Sequence, residues 1–464
     1  MESYREENSE LIKSYLYRTF FRAMENCGSE SDVFCGNYRS VELILTPSCD
    51  LNCTYCYFTK NKDKYFTPRS LKAKEIVDNI RAIINWFIEN RYNPSLELFG
   101  GDPIFNGAAF YALDVILDGV KSGLKPPRIV IPTNGSFIDD DDKVIKLFRL
   151  KDSFKHYGVD LILSLSIDGY FLDNKNRPKK KGNRSKDFYR KIFEFAAEYK
   201  AGFHPMIYSE NIDLWPENFL WFQAMFSKYS IAWDNIYLLE VRNPEWSVQQ
   251  TIGLAKFVEF LIDWAFTKLG KDDYIGFITR GKGFNILSNP FSTLGRGIGC
   301  SIQSTIGIRT GDLTVFPCHR LMYKGMEAFR FIKDSDSIVD IEAINPELFI
   351  TIQSIDHRSF PVCETCAFKE LCSGGCLGAQ YEVTGDPFTP IPTVCRMEQL
   401  KILAILSKYE ELGILHDYMR ILNYEKVYAI NKIINGGLLD VYRKTIKSKE
   451  FPERRWIKAL SARL

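Results

Sequence analysis

Cys49, Cys53 and Cys56 form a C-x3-C-x2-C triplet within Thr46-Pro-Ser-Cys-Asp-Leu-Asn-Cys-Thr-Tyr-Cys-Tyr57. The triplet follows the apolar run Val41-Glu-Leu-Ile-Leu45, which reads as a strand entering a loop. Three thiolates on one short loop can hold three irons of a 4Fe-4S cube and leave the fourth iron open to a small molecule. A zinc site and three unrelated buried thiols are the other readings. Zinc wants a fourth Cys or His close by, and the loop offers none. A second array lies downstream, with Cys300 and Cys318, then Cys363-x2-Cys366-x5-Cys372-x3-Cys376, then Cys395. Its single C-x2-C suits zinc as readily as iron.

The chain has 464 residues and twelve cysteines, ten of them in these two arrays. The N-terminus, Met1-Glu-Ser-Tyr-Arg-Glu-Glu-Asn-Ser-Glu10, is acidic and polar and argues against a secretory signal. A cytoplasmic location is therefore expected, where cysteines serve metals rather than disulfides. Cys27 and Cys35 stand apart and read as incidental thiols. The formal net charge of +2 and pI near 7.8 favour neither nucleic-acid nor membrane-surface binding. Phe257 to Phe266 is the most apolar helical stretch, and Glu259 and Asp263 make it too short and too charged to span a bilayer.

From Arg39 to about Asn243, short β-branched runs alternate with amphipathic stretches. Strands are predicted at Val41 to Leu45, Leu96 to Phe99, Ile129 to Pro132, Leu161 to Ile167, Phe203 to Tyr208 and Ile236 to Val241. Helices are predicted at Ser70 to Asn90, Ala108 to Lys121, Asp140 to Leu150, Ser185 to Tyr199 and Pro216 to Lys228, with Val248 to Leu269 closing the series. Six β-then-α units predict an α/β fold with a parallel sheet and helices outside. In a curved parallel barrel the chemistry sits at the C-terminal strand ends. The texture turns Gly-, Ser- and Asn-rich around Arg280 to Gly299. The segment 300–400 reads as loop-rich and dependent on metal ligation for its folding. Helices return at Glu398 to Tyr409 and Tyr424 to Ile434, before Gly436-Gly437 and a basic tail. The run Lys179-Lys-Lys-Gly-Asn-Arg184 reads most simply as a solvated loop, or as a guide for an acidic peptide.

The triplet, with Tyr55 before its third cysteine, resembles that of the radical S-adenosylmethionine (SAM) superfamily. Phe99-Gly100-Gly101-Asp102-Pro103 resembles the family's Gly-Gly-Glu-Pro segment, which meets the amino group of the methionine moiety. Here Asp stands for the usual Glu, and the glycines let the backbone approach a ligand closely. Thr133-Asn134-Gly135 resembles the family's Thr-Asn-Gly turn, although an ordinary Asn-Gly turn reads the same way. Ser164-Leu-Ser166-Ile-Asp168-Gly169 is similar to a Ser-Leu-Asp-Gly segment of peptide- and protein-modifying members. By that match Ser166 and Arg177 contact SAM, the latter at its carboxylate. The family's usual His-Asp pair is Leu172-Asp173 here, which leaves the Arg register open. Tyr55 would hold the adenine edge through its backbone. The resemblance implies a partial (β/α)6 barrel that cleaves SAM reductively. The resulting 5′-deoxyadenosyl radical takes a hydrogen atom from an unactivated substrate carbon.

The seven downstream cysteines resemble the SPASM domain, named for maturases of subtilosin, pyrroloquinoline quinone, anaerobic sulfatases and mycofactocin. This implies two auxiliary 4Fe-4S clusters, three in all. Cys363, Cys366, Cys372 and Cys395 would ligate the outer one, and Cys300, Cys318 and Cys376 the inner. Sulfatase maturases usually add a further Cys soon after the first. None occurs between 301 and 317, so an open inner iron or a non-Cys ligand is expected. Those maturases carry an Asp base immediately after the second SPASM Cys. His319 takes that place, as a proton acceptor or as a donor to cluster sulfide. His156, His204, His357 and His416 read as structural.

The implied domains are an N-terminal helical extension (1–39), the radical SAM core (40–290), the SPASM domain (291–400) and a helical C-terminal extension (401–464). Tyr237-Leu-Leu-Glu240-Val-Arg242-Asn243 resembles a segment of peptide maturases whose targets are Cys-rich repeats. It would hold a peptide backbone at the barrel mouth, or form a strand-end ion pair. The leading expectation is a maturase forming thioether links in a ribosomally made precursor peptide. Formylglycine formation, carbon–carbon crosslinking and a non-catalytic iron–sulfur scaffold are the alternatives. Flavodoxin or ferredoxin would supply electrons. About 40 residues precede the first strand, too few for a winged-helix leader-binding module, so a separate protein or the core itself would recognise the leader.

Overall fold

The strand runs fold where their β-branched, doubly buried character places them. The computed structural model describes residues 40–60, 72–279, 284–288, 301–353, 355, 360–372 and 374–447. The expected extension at 1–39, with Cys27 and Cys35, lies outside the described residues. So do Cys300, His357, most of the Gly-rich boundary and the part of the basic tail after Lys447.

The described residues fall into two units. The first draws on Met1–Ser166, Pro178–Gly202 and Ser301–Ser354, the second on Ile167–Arg177, Phe203–Cys300 and Ile355–Leu464. In the first unit, β1 (Ser40–Thr46), β2 (Ser95–Gly100), β3 (Arg128–Thr133) and β4 (Asp160–Leu165) are parallel neighbours in chain order. Helices Ala73–Glu89, Ala108–Lys121 and Asp141–His156 connect them, each burying an apolar face such as Ile80, Ile83, Ile84 and Phe87. Asp140 caps the third by accepting from the Lys143 N–H at 3.2 Å, which satisfies a first-turn donor. The strand after the next helix, Lys186–Tyr199, is only β5 (Gly202–Phe203).

The second unit holds the remaining repeats. β6 (Met206–Ile207) pairs in parallel with β7 (Leu239–Glu240). The strand expected from Phe203 to Tyr208 is thus split. His204-Pro205 divides it, because proline lacks the N–H that a ladder needs. Helices Trp215–Lys228 and Val248–Leu269 follow, and Ser247 opens the latter with a capping box to Gln250. Phe219, Trp264 and Phe284 pack edge to face around them, with centroids 5.0 Å and 5.3 Å from Phe219. Helix Pro392–Glu411 packs on Val248–Leu269. Tyr424–Asn435 and Leu438–Lys447 complete the C-terminal helices.

The segment 300–400 is less irregular than its composition indicates. β8 (Thr305–Arg309) pairs in parallel with β1, from Ser40↔Thr305 to Ile44↔Arg309. β9 (Thr314–Phe316), β10 (Phe329–Asp334) and β11 (Ser337–Ala343) continue as an antiparallel meander. Hydrogen bonding to β1, in addition to any metal, holds this part in place.

Candidate active site and metal centres

β1, β2 and β3 deliver their C-terminal ends to one place. Gly101 N–H donates to Thr46 O at 2.7 Å and Asp102 N–H to Ser48 O at 2.8 Å, so the turn after β2 is bonded to the chain that leads into Cys49. This contact explains the two glycines. A Cβ on Gly100 would lie 2.2 Å from Thr46 O, and one on Gly101 would lie 2.2 Å from Ser48 O. Gly100 also has φ +141°, a conformation L side chains rarely adopt. The glycines therefore allow a close approach to the chain's own cysteine loop.

Asp102 is buried at 1% exposure. Its carboxylate accepts the Thr133 hydroxyl at 3.0 Å, the Asn134 N–H at 2.7 Å and the Phe105 N–H at 2.9 Å. Pro103 follows and is buried. Asn134 reaches back, its Nδ2 donating to Asp50 Oδ1 at 2.8 Å and toward Cys49 Sγ at 3.6 Å. Thr133-Asn134-Gly135 is thus bound to the cysteine loop and is more than a turn. Arg184, which the sequence offered only as the end of a basic run, donates from Nη2 to Asn134 O at 2.5 Å and lies over the Phe188 ring at 4.7 Å.

Cys49, Cys53 and Cys56 are half-buried. Cys49 Sγ also accepts the Leu51 N–H at 3.4 Å, and Cys56 N–H donates to Cys53 O at 3.1 Å. Burial, then the Asp102 carboxylate, pushes the Cys49 thiol up to about 11. Iron bound at this sulfur would oppose that shift, because a coordinating thiol is deprotonated outright. Tyr55, between the last two cysteines, is half-buried. Ser166 N–H donates to Thr133 O at 2.7 Å, which holds the end of β4 to that of β3.

In the same unit, Cys318 follows β9. His319 binds Glu42 of β1 twice, through its N–H at 2.5 Å and through Nδ1 at 2.7 Å. Its ring stacks on Phe99 with centroids 4.1 Å apart. The Glu42 carboxylate at Nδ1 thus fixes the orientation of the imidazole. Glu42 stands opposite Glu97 in the β1–β2 register. Burial, then Glu42, holds the Glu97 carboxyl above the usual range. A single Glu within Val41-Glu-Leu-Ile-Leu45 was the available signal for this inward-facing acid.

In the second unit, Arg177 Nε donates to Asp168 Oδ1 at 2.8 Å. Asp168 also accepts the Met206 N–H at 2.9 Å, and its own carbonyl takes Asn218 Nδ2 at 2.6 Å. The Ser-Ile-Asp-Gly segment thus supplies the acid that orients Arg177. His204 is half-buried there; desolvation of its ring, then Arg177, pulls its pKa down to about 4.

Four of the downstream cysteines share one neighbourhood in this unit. Burial, then the Cys363 and Cys366 thiols, pushes Cys395 up to about 11. Cys372 is raised by burial, then by Glu398, with Cys395 adding to it. Cys376 begins helix Leu377–Thr384. Cys395 lies within helix Pro392–Glu411. Among the described residues, no three His, Cys, Asp or Glu side chains are gathered closely enough to hold a single metal ion. A cube spreads its thiolates more widely than one ion does.

Glu240 and Arg242 do not line a surface. Lys401 Nζ, fully buried, donates to Glu240 at 2.8 Å and to Glu398 at 3.1 Å. Arg242 Nη2 lies 3.4 Å from Glu240 and 3.5 Å from Glu398, and its Nη1 donates to Gly375 O at 2.8 Å. This buried network corresponds to the ion-pair reading of the segment, and it fastens the loop between Cys372 and Cys376.

Residues 43–218 match the Radical SAM superfamily, whose members are enzymes that catalyse radical reactions. Over 147 residues the chain is 27% identical to the uncharacterized protein MJ0907 of Methanocaldococcus jannaschii; the match spans 31% of this chain and 43% of that relative. Native anSMEcpe with bound AdoMet has a TM-score of 0.56 at 14% identity, over 82% of this chain and 99% of that chain. Native anSMEcpe with bound AdoMet and Cp18Cys peptide has a TM-score of 0.55 at 15% identity, over the same shares. The likeness is one of fold. Among the described residues, no helix is long and apolar enough to cross a membrane.

Proposed function

We propose, from the premise that this chain carries a radical SAM domain over residues 43–218, that it is a maturase forming thioether links in a ribosomally made precursor peptide. The observation that carries this is the convergence of three strand ends on Cys49, through Gly101, Asp102 and Asn134. The donor set fits a 4Fe-4S cube. Three thiols lie on one loop, and one of them already receives two hydrogen bonds at sulfur, which favour its thiolate. When bound, the cluster and SAM supply reductive SAM cleavage and hydrogen-atom abstraction.

Each residue then has a role. Cys49, Cys53 and Cys56 hold the cluster. Gly100, Gly101, Asp102 and Pro103 fix the cysteine loop and present backbone to the methionine moiety. Asn134, Ser166 and Tyr55 line the SAM pocket, and Asp168 orients Arg177 toward the SAM carboxylate. Glu42 orients His319, which takes a proton from the substrate. Cys363, Cys366, Cys372 and Cys395 hold an outer auxiliary cluster. Cys300, Cys318 and Cys376 would hold an inner one, with a substrate thiolate as its further ligand. Residues 40–290 serve as the core, 291–400 as the auxiliary domain and 401–464 as a helical extension. Fold likeness to a protein solved with bound AdoMet and Cp18Cys peptide supports a peptide substrate.

The test is the anaerobically reconstituted protein with a Cys-containing precursor. The product should weigh two hydrogens less per thioether. The precursor, but not its Cys→Ser version, should perturb the auxiliary-cluster EPR signal. A modified peptide whose thiols all remain open to alkylation would replace thioether chemistry with carbon–carbon crosslinking. A new aldehyde would identify formylglycine formation.

A further inference from the structure

We propose that residues 178–186 form the docking surface for a small acidic electron-transfer protein that delivers the electron to the Cys49–Cys53–Cys56 site. This rests on the reading of those cysteines as cluster ligands. The segment carries Lys179, Lys180, Lys181, Arg184 and Lys186 and no acidic residue, in a chain whose net charge is only +2. A run of this kind is ordinarily a solvated loop, but here it is pinned against the cysteine loop. Asn52 N–H donates to Pro178 O at 2.8 Å and Lys180 N–H to Asp50 O at 2.9 Å. Leu51 and Lys179 form an antiparallel bridge between these bonds. Lys180 Nζ donates to Cys49 O at 2.7 Å. At the far end Arg184 is fastened to Asn134 O, and Ser185 caps the following helix by accepting the Phe188 N–H at 3.2 Å.

The strap therefore has a fixed backbone, while Lys180, Lys181 and Lys186 face solvent and Lys179 is half-exposed. Asp50, the nearest acid on the cysteine loop, is occupied by Asn134. A concentrated positive charge on a rigid support accelerates encounter with an acidic partner and selects for it. Its position meets a second requirement. Electron transfer weakens steeply with distance, and the strap is bonded to residues 50 and 52, each one residue from a candidate iron ligand. One electron leaves the reduced donor and enters the site held by Cys49, Cys53 and Cys56; no atom is transferred.

The test uses the full chain and a purified flavodoxin. The variant is Lys179→Glu/Lys181→Glu, with Lys180 kept because it holds Cys49 O. Flavodoxin binding to the wild type should weaken with salt. The variant should bind about tenfold more weakly, with iron content and dithionite-driven 5′-deoxyadenosine formation unchanged. If iron is lost, Lys179→Gln/Lys181→Gln should give a smaller loss of binding with iron retained. Equal flavodoxin binding by wild type and both variants overturns the proposal. So does a change confined to precursor-peptide affinity, which would assign the strap to an acidic peptide. Failure of dithionite to drive SAM cleavage in the wild type would instead sink the reading of the cluster, whatever flavodoxin does.

Discussion

Asp102, just after β2, accepts the backbone N–H of Asn134, just after β3, at 2.7 Å. The same carboxylate takes the Thr133 hydroxyl and the Phe105 N–H. Burial raises its pKa even so, with those three donors opposing the shift. The acid therefore works as a strut between two pocket turns, and its shortness relative to Glu suits that reach. Asp102→Ala leaves buried donors unpaired and should cost about 3 kcal/mol of stability, together with SAM affinity. Asp102→Asn keeps one acceptor and should cost less. Denaturant unfolding and SAM titration measure both. Equal stability in all three proteins would mean that the strut carries nothing.

Gly101→Ala places a methyl group against the Ser48 carbonyl, one residue before Cys49. The expected outcome is loss of iron from the first site as well as weaker SAM binding. Gly107→Ala is the control. Its φ is +83° but no atom lies within 4 Å of the added Cβ, so it should cost about 1 kcal/mol and leave iron intact. Normal iron content in Gly101→Ala would contradict the proposed contact.

Lys401 sits between two buried carboxylates. Burial alone would raise Glu240, but Lys401, then Arg242, hold it down to about 2. Lys401→Met leaves that charge undercompensated and should destabilise by about 3–5 kcal/mol. Adding Glu240→Gln should recover part of the loss. Thermal unfolding of the single and double variants measures this, and additive losses would refute the coupling.

His204 supplies the pH dependence. Its folded pKa of about 4 lies below the ordinary 6.5, so the unfolded chain binds the extra proton first. The neutral ring's contribution is complete above pH 6.5 and is lost as pH falls toward 4, on the order of 3 kcal/mol. His204→Phe removes the titrating group. The variant should lose less stability than the wild type between pH 7 and pH 5, as followed by the unfolding midpoint. Parallel curves would contradict a histidine held neutral in the fold.

Much of this was legible in the chain, for physical reasons. Val41 to Leu45 and Leu161 to Leu165 are apolar runs long enough for strands, and Ser185 and Ser247 announce their helices as N-caps. β8 to β11 were missed because Thr305-Ile-Gly-Ile-Arg309 is short and interrupted by glycine, and its partner β1 is far away in sequence. The tie between Glu42 and His319 spans 277 residues and leaves no local trace. The buried network of Glu240, Arg242, Glu398 and Lys401 likewise joins distant segments. The lysine strap was visible as charge, but its pairing with the cysteine loop was not.

The central claim is that Cys49, Cys53 and Cys56 hold the cluster that cleaves SAM. The direct measurement is 5′-deoxyadenosine formation by the anaerobically reconstituted triple variant Cys49→Ala/Cys53→Ala/Cys56→Ala, with iron counted alongside. No 5′-deoxyadenosine should form, and about eight iron atoms per chain should remain in two auxiliary cubes. Continued SAM cleavage by the triple variant would contradict the claim.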